Sequence, residues 1–238
     1  MLMNDEDILG LARHIGDHHY RAYIGPPDEY DLVSAMSFGL LTVCGLRQHH
    51  KLLDIGCGSL RLGRLLIPYL NAENYIGLEP NKWLIDDGIR NEVGASLVEK
   101  RSPTFVIAEG LESLASDLQF DYAIAQSIFS HTAPDLLERW IQDVSLRLSE
   151  QGVLFATVLE GEVECEGNGW IYPECVEYRL ETVATIAQEY GLEFEVLSWY
   201  HPRQTWCVFF RQGFDRKLLN GGAPSWNHFG FLRTQAEL

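Results

Sequence analysis

The residues whose types and spacing could do chemistry collect at the ends of apolar runs. Asp54 closes the run Lys51-Leu52-Leu53-Asp54-Ile55, and the tight turn Gly56-Cys57-Gly58-Ser59 follows it. Glycines let a backbone approach a ligand closely, and the start of a following helix offers unpaired N–H groups. An acid closing the strand accepts hydrogen bonds from an amine or a hydroxyl. Glu79 closes the next run, 21 residues after Gly58, where a carboxylate is placed to accept both hydroxyls of a ribose. Glu109 and Gln126 end two further runs, which makes a row of polar strand ends with Asp54 and Glu79. NAD, FAD and S-adenosylmethionine (SAM) all carry such a ribose.

Apolar spacing predicts the elements that hold this row. A short helix is expected over residues 4–15, with Ile8, Leu9, Leu11, Ala12 and Ile15 on one face and Asn4 or Asp5 as its cap. His18 to Pro27 reads as a loop. Asp28 to Leu46 reads as a second helix, apolar all round, therefore buried, and stopped at Gly45. From Lys51 strands alternate with helices: strands at 51–55, 74–78, 105–108, 120–125, 152–159, 193–199 and 205–211, and helices at 60–66, 81–90 (with Asn81 as its cap), 134–148 and 179–190. Such alternation makes a largely parallel sheet with helices on both faces. Only five residues, Tyr200 to Gln204, join the last two strands, too few for a parallel crossover, so the last strand is antiparallel. The expected fold class is α/β, a seven-stranded, mostly parallel sheet with an antiparallel last strand, over residues 49–211. An N-terminal helical addition (1–48), an insertion after the fifth strand (160–178) and a tail (212–238) complete the chain. The tail holds Phe214, Trp226, Phe229 and Phe231, too apolar to hang free, so it packs on the domain or on a second copy in a homodimer.

Four ordered stretches resemble those of class I SAM-dependent methyltransferases. Asp54-Ile55-Gly56-Cys57-Gly58 is similar to their first motif, and Tyr75-Ile76-Gly77-Leu78-Glu79-Pro80-Asn81 to their second. Phe120 to His131 is similar to their fourth, and Leu148 to Leu154 to their "L-x-x-G-G" turn. The resemblance covers about residues 50–211. It implies that Asp54, Gly56, Cys57 and Gly58 flank the methionine part of SAM. It further implies that Glu79 and Pro80 hold the ribose, that Glu109, Gly110 and Leu111 meet the adenine, and that Gln126 and Ser127 lie beside the cofactor, whose product is S-adenosylhomocysteine (SAH). The usual third glycine is Leu60 here, followed by Arg61. A dinucleotide needs that glycine for close helix packing and room for a pyrophosphate, so the departure argues against NAD or FAD. Arg61 either approaches the SAM carboxylate or forms a surface salt bridge.

The methyl of SAM is electrophilic, so its transfer is an in-line displacement that chiefly demands alignment. A base is needed only if the acceptor must lose a proton. His131 after the fourth strand is the leading catalytic candidate, its alternative being a packing or capping histidine. Glu160, Tyr200 and His201 are further candidates at the same mouth. The aromatic stretch 18–24 is expected to fold over the cofactor as a lid, with Tyr20 and Arg21 at SAM and Tyr23 at the acceptor. Trp170 and Tyr172 of the insertion are expected to touch the acceptor too. Adjacent His18 and His19 lack a spaced third ligand, so no metal is expected. The net charge of −16, from 34 acids against 18 bases, disfavours nucleic acid and anionic membrane. The fourth motif also lacks the Asn/Asp-Pro-Pro-Tyr/Phe box of enzymes that hold a flipped base. Five scattered cysteines without a CxxC pair fit reduced thiols in a cytoplasm, and the acidic N-terminus leads to no signal-type core. The expected acceptor is a small molecule. A basic peptide, a nicotinamide or flavin oxidoreductase and a catalytically silent SAM-fold subunit stand as alternatives.

Overall fold

The computed structural model describes residues 7–162 and 167–220. Strand β1 (Leu52–Ile55) is buried along its whole length because it lies between β2 (Tyr75–Leu78) and β4 (Phe120–Ala125), parallel to both, and a central parallel strand is covered on both faces. Beyond β2 comes β3 (Thr104–Val106). Beyond β4 come β5 (Leu148–Glu160), β8 (Thr205–Arg211) and β7 (Leu192–Leu197), giving the order β3-β2-β1-β4-β5-β8-β7. β8 is antiparallel to β5 and β7, as the short link before it requires. An eighth strand, the two-residue β6 (Glu177–Tyr178), pairs in parallel with the end of β5; no apolar run announces it. Edge strand β7 turns Glu193 and Glu195 outward to Arg216, charges that discourage further strand pairing.

The pleat divides β1 between two cores. Leu53 and Ile55 face one filled by α5 (Pro134–Ser145) and α6 (Leu180–Glu189) through Leu137, Trp140, Ile141 and Val183. Leu52 faces the other, filled by α1 (Tyr30–Val43), α2 (Gly63–Tyr69) and α3 (Lys82–Gly88) through Leu40, Leu41, Leu66, Ile67 and Ile85. Each such side chain gains about 1.5–3 kcal/mol on burial, so α1 belongs to the same core as the sheet it covers.

Several expected elements differ. No helix forms over residues 7–15. Gly10 takes a left-handed φ of +69° in the middle of the apolar pattern, and the carboxylate of Asp7 accepts the Ala12 N–H, a local bond that competes with helix. Ile8, Leu11 and Ile15 are left exposed; Asn4 and Asp5, the expected caps, lie outside the described residues. Nor is α1 buried all round: Leu32 and Val43 are exposed because one face alone meets the sheet. The helix expected from Leu60 starts at Gly63, since Leu60 itself is left-handed at φ +61°. The helix expected over 81–90 gives way to a π-helical turn, Ile89–Val93, and then α4 (Ala95–Arg101). Asn81 stands at the N-cap of α3 as expected, but its side chain bonds Glu79 rather than a helix N–H. In the tail Phe214 packs on Phe210 and α7 (Lys217–Asn220) follows, while Trp226, Phe229 and Phe231 lie outside the described residues. No helix among the described residues is long and apolar enough to cross a membrane.

Candidate active site

Because β1, β2 and β4 are parallel, their carboxyl ends bring Asp54, the glycine turn, Glu79 and Gln126 to one edge of the sheet. Gly56 and Gly58 hold φ of +66° and +53°, which glycine adopts without strain. A Cβ on Gly56 would strike the side chain of Ile128, and one on Gly58 would press on Ile24 at 3.1 Å. Glu79 is buried and ties the ends of β2 and β1 together. Its Oε2 accepts the Gly58 N–H at 3.2 Å, and its Oε1 accepts the Asn81 backbone N–H at 2.9 Å and side-chain amide at 2.8 Å. Burial pushes this carboxyl up and the three donors hold it back. Asp54, also buried, accepts the Tyr75 hydroxyl at 2.7 Å; burial pushes it up to about 7, against the pull of Tyr75 and Arg61. Cys57 lies buried in the turn, its thiol pushed well up by burial. Pro80 and Glu109 are exposed, Gly110 is buried, and Leu111 belongs to the core beneath the sheet.

Arg61 is not a surface salt bridge. It is 8% exposed, and no carboxylate among the described residues pairs with it. Its guanidinium donates to Gln126 Oε1 and, at 3.5 Å, to the Ile24 carbonyl; burial pulls it down to about 10. The Ser34 hydroxyl donates to the Arg61 carbonyl at 2.6 Å, and the Tyr30 hydroxyl to that of Ser59 at 3.1 Å, so α1 braces the turn. Gln126 Nε2 donates to the Ser127 hydroxyl and lies 3.2 Å from His201 Nε2. Ser127 is left-handed at φ +57° and is fixed there by its N–H bond to the Thr157 hydroxyl at 2.8 Å; such conformations cost about 1–3 kcal/mol and concentrate at functional sites. His201 Nδ1 accepts the N–H groups of Arg203 at 3.2 Å and Gln204 at 3.0 Å. Burial pushes this ring down to about 3, so it is neutral with its proton on Nε2. His201, Tyr200, Trp199 and Gln204 line an open hollow of about 260 Å³. Glu160 is exposed, accepts the Thr205 hydroxyl, and borders a separate open hollow that shares no lining residue with the glycine turn.

A row of rings crosses the mouth. His18 stacks on Trp83 at 4.4 Å, Tyr23 meets Trp83 edge-on at 5.1 Å, and Tyr172 meets both Tyr23 (5.5 Å) and His131 (5.3 Å). The Tyr172 hydroxyl donates to the Tyr23 carbonyl at 2.6 Å, joining the insertion to the N-terminal segment. His131 Nδ1 lies 2.7 Å from the Glu174 carbonyl. A carbonyl can only accept, so Nδ1 carries the proton and Nε2 the lone pair; burial lowers the pKa of this ring. Trp170 instead turns to Trp140, ring to ring at 6.5 Å. Tyr20 and Arg21 are buried beside the π-helical turn. Both bond Glu92, at 2.9 and 2.6 Å, and Arg21 also pairs with Asp31 at 3.2 Å and lies over the Tyr30 ring. Trp83 and Glu92 belong to no motif of the sequence, yet both meet the N-terminal segment. Trp83 follows Glu79 by only four residues, a usable signal; Glu92 had none, because a π turn brings it inward.

No protein-family profile matches the chain. Its fold matches solved structures. Magnesium protoporphyrin IX methyltransferase from Synechocystis, with bound SAH, aligns over 78% of this chain and 85% of that one, with a TM-score of 0.60 and 12% identity. A SAM-dependent methyltransferase from Clostridium acetobutylicum aligns over 77% and 92%, at 0.56 and 12%. A sugar N-methyltransferase from a Streptoalloteichus species aligns over 76% and 88%, at 0.55 and 17%. The fold is therefore that of the class I SAM-dependent methyltransferases, reversed last strand included.

Proposed function

We propose that this chain transfers the methyl group of SAM to a small-molecule acceptor. The observation that carries the reading is Glu79, buried at the end of β2 and bonded across to the glycine turn of β1, where its two oxygens suit the two hydroxyls of a ribose. The turn itself supports it: Gly56 and Gly58 leave backbone bare at the methionine position, and Leu60 stands where a pyrophosphate-binding turn needs glycine. The reaction is a displacement in which the acceptor's lone pair forms the bond to the methyl carbon, the carbon–sulfur bond breaks, and its electrons stay on sulfur as SAH. Where the acceptor must lose a proton, His131 Nε2 is the group with a lone pair to receive it. His201 has its lone pair committed to two backbone N–H groups and serves as a donor. Residues 18–24 act as a lid, held by Trp83 and Tyr172, with Tyr23, Tyr172 and His131 presenting an aromatic wall to the acceptor.

Calorimetry with SAM, SAH and NAD tests this. SAM and SAH should bind, and Glu79→Ala should weaken both at least about 100-fold, two charge-assisted hydrogen bonds at roughly 1.5–3 kcal/mol each. Binding of NAD without SAM or SAH would falsify the reading.

A further inference from the structure

Arg61 poses a physical problem that nothing else among the described residues solves. A buried guanidinium without a counter-ion costs several kcal/mol. The acids nearest to it are committed elsewhere: Asp54 accepts the Tyr75 hydroxyl, and Glu29 pairs with Arg203. What Arg61 has is one neutral amide oxygen, that of Gln126, and a long contact to the Ile24 carbonyl. That amide is itself contested. His201 must donate from Nε2, because its Nδ1 accepts from Arg203 and Gln204, yet Nε2 faces the NH2 group of Gln126 at 3.2 Å. Turning the amide over gives His201 an acceptor and sets the NH2 group against Arg61. One oxygen cannot serve donors on both sides.

We propose that Arg61, Gln126 and His201 form a carboxylate-binding site at the end of β4. A carboxylate has two oxygens and no donor. One oxygen would take the guanidinium and the other the His201 Nε2–H, leaving the Gln126 amide free to donate as well, and the charge of Arg61 would be neutralised. The His201 end of this set borders the open hollow of about 260 Å³ that Gln204 also lines. Two sources fit this chemistry, the amino-acid end of the cofactor and an acid group on the acceptor. The cofactor source rests on the methyltransferase reading.

The test uses the full chain, as wild type, Arg61→Met and Gln126→Glu. SAH is titrated beside the same molecule lacking its carboxyl group, and benzoate beside benzamide on protein saturated with SAH. If the cofactor supplies the acid, removing the carboxyl weakens binding about ten- to a hundredfold in wild type, and the difference disappears in Arg61→Met. If the acceptor supplies it, SAH and its analogue bind alike, and benzoate binds wild type in preference to benzamide and fails to bind Arg61→Met. Gln126→Glu places a carboxylate on Arg61 from within, so it should raise the melting temperature and abolish whichever discrimination wild type shows. No discrimination in wild type, or the same discrimination in Arg61→Met, overturns the site, as does a lowered melting temperature in Gln126→Glu. If wild type binds no SAH at all, the methyltransferase reading fails, and the benzoate and melting measurements on unliganded protein still decide the site.

Discussion

At the scale of single residues, burial sets the protonation of the candidate site. Asp54 is raised to about 7 from an ordinary 3.8. Its proton is thus held more tightly in the folded than in the unfolded chain, and its contribution to stability is full below 3.8 and is lost as pH rises through about 7. A cationic ligand reverses that balance by favouring the carboxylate. SAM carries a sulfonium and an ammonium, so binding at a pH near 7, where a group raised to about 7 is half protonated, should release up to about half a proton. Binding heats in buffers of differing ionisation enthalpy measure the release; Asp54→Asn should show none, and an equal release there would remove Asp54 from the cofactor's surroundings.

At the scale of elements, the N-terminal segment ahead of α1 is fastened to the sheet domain with no regular structure beyond two short 3-10 turns, Ala22–Ile24 and Pro27–Glu29. Arg21 and Glu92 are 6% and 7% exposed and 2.6 Å apart, and Arg64 adds a second bond to the same carboxylate at 3.3 Å. Glu92 faces inward because the chain between α3 and α4 is wound as a π turn, a feature often found at functional sites. Removing one partner of a buried pair costs about 3–5 kcal/mol. Asp31 still pairs with Arg21 and Arg64, so Glu92→Gln should lose an amount near the lower end of that range in urea unfolding. Trypsin should then cut at Arg21 sooner than in wild type. Unchanged stability and cleavage would mean that the rings of Trp83 and Tyr172 hold the segment by themselves.

At the scale of the whole molecule, 34 acids against 18 bases make self-repulsion a standing cost of the compact state. Raising salt from about 10 mM to about 150 mM shortens the Debye length from about 30 to about 8 Å. The melting temperature should therefore rise across that range; a fall would show that ion pairs such as those of Arg216 and Arg21 outweigh the general repulsion.

The sequence determined the sheet. The apolar runs of β1 and β4, the strand–helix alternation and the short link before β8 are properties of local apolar pattern and chain length, so they are legible residue by residue. Glu79 and the glycine turn were legible too, because a strand end and its following turn are near neighbours in the chain. The pattern failed over residues 7–15, where helical spacing exists but no sheet face lies ready to cover it and Gly10 turns the chain. Tertiary structure alone decided the rest. Arg61 reads in the sequence either as a contact to the SAM carboxylate or as a surface salt bridge, and only the tertiary structure shows it buried, with its guanidinium on the Ile24 and Gln126 oxygens; the two histidines differ only through which nitrogen meets a backbone carbonyl or N–H. Burial and tautomer are set by groups tens of residues away, which no spacing along the chain records.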